Sequence, residues 1–174
     1  MFEGDGVIVQ TAYVVENLDK AIDHWTTNIG AGPFFVLRGY DQMKNLEYRG
    51  KKGYFNCDFA FGQAGGVQVE LIQINSDAPN VFAELSSKGG RSGFHHVAMF
   101  PKDLEAAISA YQRQGLDLVM RGNFGTTPLA FIDTRPLLGF MVELYPATDD
   151  MRAMYQMVAD AAKTWDRVEK TRPL

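Results

Sequence analysis

The sequence predicts an α+β protein made of one duplicated unit, strand–helix–strand–strand–strand, followed by a C-terminal helix. Three observations lead there. The chain has 174 residues, 46% hydrophobic and 12% aromatic, a length and make-up that fit one folded body. The segment Val9–Ile22 repeats as His95–Ile108 at a constant offset of 86, pairing Ala12 with Ala98, Leu18 with Leu104, Asp19 with Glu105 and Ala21 with Ala107. Gly66–Leu71 repeats as Gly139–Leu144 at an offset of 73, pairing Glu70 with Glu143.

Each half opens with a β-branched strand, about Val7–Val15 and Phe94–Phe100. A helix follows, capped by Asn17 or Asp103, whose short side-chain oxygens can accept the free N–H groups of a first turn. Leu18, Ala21, Ile22, Trp25 and Ile29 recur at helical spacing in the first, and Leu104, Ala107, Ile108 and Tyr111 in the second. Gly30 and Gly115 stand where each helix needs a left-handed C′ residue. Further strand-like runs are Phe34–Leu37 and Tyr54–Phe61, then Leu116–Met120 and Leu129–Asp133; Gly62–Gly66 reads as a hairpin turn. The two offsets differ by 13 residues, so the first half has a longer middle, assigned to an exposed Lys-, Arg- and Gly-rich loop at Tyr40–Gly53. A connector with Pro79 and a short helix near Asn80–Ser87 joins the halves. The last helix, about Asp149–Val168, carries an apolar stripe of Met151, Met154, Tyr155, Val158, Ala162 and Trp165 that covers either the body of the domain or a second subunit. The expected boundaries are 1–76, 77–93, 94–146 and 147–174.

Composition excludes several classes. With 17 Lys+Arg against 21 Asp+Glu, the net charge of −4 leaves no basic excess for nucleic acid. No run approaches the roughly 18–20 apolar residues of a membrane helix, and the acidic start lacks the pattern of a signal peptide. One cysteine, Cys57, forms no internal disulfide. The expectation is a soluble, cytoplasmic protein.

Strand alternation sorts side chains by face. Val9, Thr11 and Tyr13, Val69 and Leu71, Val97 and Met99, and Val142 and Leu144 make an apolar face to pack on helices. The opposite face is mixed and carries Gln10, Glu70, His96 and Glu143. These are two repeat-equivalent pairs, Gln10 with His96 and Glu70 with Glu143, so a pseudo-twofold axis brings all four together. An amide oxygen, an imidazole and two carboxylates suit a divalent cation: the oxygens favour hard ions such as magnesium, while the imidazole admits zinc, nickel, cobalt, manganese or iron. A single polar residue on a sheet is usually satisfied by its neighbours. Two glutamates in apolar runs need a common partner, because unpaired buried charge is costly, and this favours the metal.

Other candidates are weaker. Alternation turns His95 away from His96, into a structural role; His24 is off its helix's apolar stripe; Cys57 reads as a small buried hydrophobe. Tyr48, Tyr54, Phe61, Phe124 and Phe131 read as core residues, with a substrate pocket as the alternative. Arg38, Arg49, Arg91, Arg121 and Arg135 are scattered and mostly solvated.

At these residues the sequence resembles the glyoxalase/bleomycin-resistance/dioxygenase superfamily, the vicinal oxygen chelate proteins. The likeness spans about Val7–Pro146 and is carried by Leu18-Asp19-Lys20-Ala21, Val69-Glu70-Leu71, His95-His96-Val97-Ala98 and Val142-Glu143-Leu144-Tyr145-Pro146. It implies two βαβββ modules forming a U-shaped mixed-sheet cleft, with Gln10, Glu70, His96 and Glu143 as metal ligands. The Gln/Glu/His/Glu set is similar to one branch of glyoxalase I enzymes. The stretch from Asp77 to Val97 looks like the methylmalonyl-CoA epimerase group, where a histidine usually stands at the position of Gln10. Gln10 also departs from the two-histidine iron triad of the ring-cleaving dioxygenases.

The resemblance thus implies a metal-dependent isomerase, epimerase or lyase that moves a proton next to a carbonyl. Glu143 is expected to act as the base, with Glu70 opposite. The small-molecule substrate would be a carbonyl compound, a thioester or a thiol adduct. The alternatives are a lactoylglutathione lyase, and a binding or resistance protein of the same fold without catalysis. A homodimer is common in the superfamily.

Overall fold

The computed structural model describes residues 6–84 and 92–174. The first half runs β1 (Ile8–Val14), α1 (Leu18–His24), β2 (Phe34–Tyr40), β3 (Lys44–Tyr48), β4 (Lys51–Lys52), β5 (Cys57–Ala64) and β6 (Val67–Ile74). The second runs β7 (Gly93–Met99), α2 (Leu104–Arg113), β8 (Leu118–Phe124), β9 (Thr127–Ile132), α3 (Arg135–Leu138) and β10 (Met141–Leu144). Helix α4 (Asp149–Lys163) and a short strand β11 (Thr171–Pro173) complete the described chain.

The duplication is visible in the pairing. One mixed sheet has the order β11-β2-β5-β6-β1-β7-β10-β9-β8-β3-β4. Within it β2-β5-β6-β1 mirrors β8-β9-β10-β7 about an antiparallel seam between β1 and β7. The opening strand of each half lies parallel to its closing strand, β1 on β6 and β7 on β10. The caps repeat too: Asn17 Oδ1 accepts from the Lys20 N–H at 2.8 Å, and Asp103 Oδ1 from that of Ala106 at 2.9 Å.

The sheet must curl. Laid flat, the eight strands from β2 to β8 would span about 34 Å at the usual strand spacing. Yet three residues, Asp41–Met43, carry the chain from β2 to β3, which pairs with β8, and such a link reaches at most about 14 Å. The rings of Tyr40 on β2 and Phe124 on β8 meet across the gap, centroids 5.2 Å apart. The segment expected to be an exposed loop is therefore a strand-forming link that draws the two edges of the U together. Its Leu46 and Tyr48 pack against the inner core while the intervening Glu47 stays exposed, a strand alternation masked in sequence by the Lys, Arg and Gly around it.

Helices α1 and α2 cover the convex face. Leu18 and Ile22 pack on Val69 and Leu71, and Ile108 packs on Val97, Val142 and Leu144. Five residues, Trp25–Ile29, continue α1 as a π-helical turn. The wider turn rotates Ile29 off the apolar stripe, leaving it 54% exposed. Helix α4 covers the concave side of its own chain. Val158 and Ala161 join Phe59 and Phe61, while Met151 and Tyr155 meet Val9, Ala98 and Tyr145. The helix ends at Lys163 rather than Val168, because the chain turns back to lay β11 along the edge of β2.

The expected connector helix is a single 3-10 turn, Val81–Ala83, capped by Asn80; residues 85–87, and Arg91, lie outside the described residues. Glu84, directly after the turn, binds a group that pins the β3–β4 hairpin to the start of α3. Arg49 donates to both Glu84 carboxylate oxygens, at 2.8 and 2.6 Å, and Arg135 donates to the carboxylate and the backbone carbonyl, both at 2.8 Å. Arg135 also pairs with Asp133. Its side chain is only 17% exposed, so it is a partly buried clamp and not one of the solvated arginines.

Candidate metal centre

The repeat register places the four polar residues in matched positions. Ala12 on β1 pairs with Glu70 on one side and His96 on the other. Ala98 on β7 pairs with Gln10 on one side and Glu143 on the other. Both alanines are fully buried, and their small side chains leave the space into which the longer neighbours converge. His96 Nε2 lies 3.4 Å from Glu70 Oε2 and 3.2 Å from Glu143 Oε2. One ligand atom from each of Glu70, His96 and Glu143 lies within 4.8 Å of the others, and all three residues are buried.

Gln10 lines the same cavity as Glu70 and Glu143. Its Nε2 donates to Gln68 Oε1 at 2.7 Å, which leaves Gln10 Oε1 buried without a hydrogen-bond partner among the described residues. A buried carbonyl oxygen with no donor is a costly arrangement. A cation would satisfy it, so the donor set of two carboxylates, one imidazole and one amide oxygen fits a divalent ion in charge and in chemistry. The Gln68 amide nitrogen is also without a partner, and nothing in the structure explains it.

His95 contradicts the alternation drawn from sequence. Ala12 pairs with His96 and Tyr13 with Phe94, so His95 is the extra residue of a β-bulge. The bulge lets two successive histidines face inward, with both rings against Phe131. His95 Nε2 lies 2.9 Å from the Val81 carbonyl, which can only accept, so this nitrogen carries the proton. Its Nδ1 must then accept from His96 Nδ1–H, 2.8 Å away. That fixes the His96 tautomer and aims Nε2 at the two glutamates. His95 thus orients the His96 ring, as partners of metal-binding imidazoles commonly do.

Ionisation follows from this geometry. Burial, reinforced by Glu143 and opposed by His96, raises the Glu70 carboxyl above its ordinary range. Burial by itself would lower His96, but hydrogen bonds and charge from Glu143 and Glu70 outweigh it and lift its pKa to about 9. Burial and the neighbouring His96 push His95 down to about 3. The hydroxyls of Tyr145 and Tyr155 hydrogen-bond each other beside the cluster, and burial raises both well above the usual value. Cys57, buried and pushed up to about 12, is no nucleophile.

Around these groups lies a cavity of about 70 Å³. Phe61, Phe124 and Phe131, read from sequence as core, line it as well. Tyr48 does not; its hydroxyl donates to Glu84. Tyr54 is half exposed. No helix of the described residues is long and apolar enough to cross a membrane.

Residues 9–131 match the family model of the Glyoxalase/Bleomycin resistance protein/Dioxygenase superfamily. The chain belongs to this superfamily. No curated protein sequence matches it. Among solved structures it is similar to a hypothetical protein from Bacillus halodurans C-125, with TM-score 0.59 and 15% identity, covering 84% of this chain and 97% of that one. The methylmalonyl-CoA epimerase of Mycobacterium tuberculosis follows with TM-score 0.52 and 18% identity, covering 84% and 91%. That of Streptomyces coelicolor, solved with 2-nitronate-propionyl-CoA, has TM-score 0.51 and 15% identity, covering 82% and 95%. At such identities the likeness establishes the superfamily fold.

Two outcomes follow from the site. His96 holds its proton to about pH 9 when folded, against an ordinary value of 6.5. That proton stabilises metal-free protein fully below about pH 6.5, and the contribution is lost as pH rises through 9. Melting temperatures of metal-free protein should therefore fall across this window. A cation that replaces the proton should abolish the fall, and calorimetry in buffers of different ionisation heat should record proton release on binding. Replacing His95 by Phe removes the acceptor that orients His96 and should weaken metal affinity by about 10–100-fold, read by competition with a chelating dye.

Proposed function

We propose that the protein is a metal-dependent enzyme that moves a proton next to a carbonyl, with Gln10, Glu70, His96 and Glu143 as ligands of one divalent cation, zinc, nickel, cobalt, manganese or magnesium. The reading is carried by the buried Glu70–His96–Glu143 group, which shares an apolar cavity with the unpartnered Gln10 oxygen. When bound, such an ion polarises the substrate's carbonyl and stabilises the negative charge that develops as the adjacent C–H ionises.

The chain's own groups do the rest. Glu143 takes the proton from the carbon and returns it. Glu70, its repeat equivalent, lies across the pseudo-twofold axis and can serve the opposite face. Two carboxylates so disposed suit an epimerase, which must deliver the proton to the side opposite its removal. The rings and methionines around the site exclude water and so protect the carbanionic intermediate. The epimerases among the similar folds are in keeping with this reading. A glyoxalase I-like lyase uses the same proton transfer between neighbouring carbons, and Gln10 as first ligand favours that second reading.

Glu143→Gln keeps an oxygen for the cation but no base. Elemental analysis should find the wild-type metal content. Deuterium exchange at the α-carbon of a turned-over substrate should fall by about 10²–10⁴-fold. Exchange at the wild-type rate would remove Glu143 from the mechanism. Ligand binding unchanged, with no exchange in either protein, would identify a binding or resistance protein instead.

A further inference from the structure

The cavity that holds the cluster has an unusual lining. Its walls are Phe55, Phe59, Phe61, Phe82, Phe124 and Phe131, with four methionines, Met43, Met120, Met151 and Met154, filling between them. Apart from the two site glutamates, the described residues contribute no charged side chain to it, and no lysine or arginine. Two of its three hydroxyls are already engaged, Thr127 with Thr148 and Tyr145 with Tyr155. A ligand inside meets rings, thioethers and the polar cluster at one end.

The way in has the same character. The lining residues that are only partly buried are Tyr40, Met43, Phe124, Leu129 and Met154. Tyr40 and Phe124 touch across the two edges of the curled sheet, Met43 comes from the link between those edges, and Met154 from α4. At about 70 Å³ the space inside equals roughly five water-sized units. The amide-bearing arm of a long acyl carrier would have to pass this rim, whose lining among the described residues offers neither cations nor a row of hydrogen-bond donors. Desolvating such groups without partners is costly.

We infer that the substrate is a compact, uncharged, largely apolar carbonyl compound, carrying its carbonyl toward the cluster and a ring or branched chain into the Phe/Met lining, with no nucleotide or peptide carrier. This rests on the proton-transfer reading of the same site and narrows it. Methionines at the rim and on α4 suit such a ligand because their flexible, polarisable side chains repack around flat rings of different outline.

The test is calorimetric titration of metal-loaded and metal-free protein with two probes, α-hydroxyacetophenone and propionyl-CoA. The aromatic hydroxyketone should bind both forms, more weakly without metal, and propionyl-CoA neither. Met154→Arg, which puts a charge at the rim, should weaken the hydroxyketone by about tenfold or more. Met154→Leu, which keeps the apolar volume, should stay within about twofold, and metal content should be unchanged in both. If metal loads and propionyl-CoA binds more tightly than the hydroxyketone, the inference is overturned while the proton-transfer reading stands. If no metal loads but the hydroxyketone still binds, the lining is as described and the metal-dependent reading fails. Loss of hydroxyketone binding from both forms of the wild type would also overturn the inference.

Discussion

Two carboxylates, Glu70 and Glu143, are held nearly out of water in a cavity walled by phenylalanine and methionine, and the rest of the site answers that constraint. Moving an ionised carboxylate out of water costs several kcal/mol even after relaxation. A single imidazole meets them both, and it does so only by holding a proton far above its ordinary pH. One protonated histidine still leaves the Gln10 oxygen unsatisfied. A divalent cation would give the two carboxyl groups a shared partner and satisfy that oxygen at once, so the four side chains fit such an ion in their chemistry.

Their meeting is a product of duplication. The register in which Ala12 lies between Glu70 and His96 recurs, strand for strand, where Ala98 lies between Gln10 and Glu143. Each half alone supplies one carboxylate and one neutral donor on adjacent strands. Only the antiparallel seam between β1 and β7 makes two such pairs face one point. The curl of the sheet, the Asp41–Met43 link and α4 then seal that point inside an apolar wall.

Much of this was legible in the chain. The offsets of 86 and 73 survive because core-facing and site-facing positions are both constrained, so strand order, the two helix caps and the four polar residues could be aligned without a second sequence. What was hidden depended on events that break a period. The bulge at His95 adds one residue to β7 and reverses the face that alternation assigns it. The π-helical turn at Trp25–Ile29 does the same for Ile29. Strand β3 was masked because its outward residues are charged and its inward contacts, Leu46 and Tyr48, are few. Arg135 looked solvated because Glu84, its partner, is 51 residues away in sequence. The cavity itself was invisible in a different sense: Phe61 and Phe131 are core residues and lining residues together, since one ring can pack on the sheet and still present a face to the void.

The most direct measurement is anomalous X-ray diffraction from crystals grown with a single transition metal and recorded on both sides of its absorption edge. One strong peak should appear per chain, bounded by Gln10 Oε1, Glu70, His96 Nε2 and Glu143, with the Gln10 amide still donating to Gln68. A peak elsewhere, or none at full metal loading, with His96 still protonated between the two glutamates, would contradict the account.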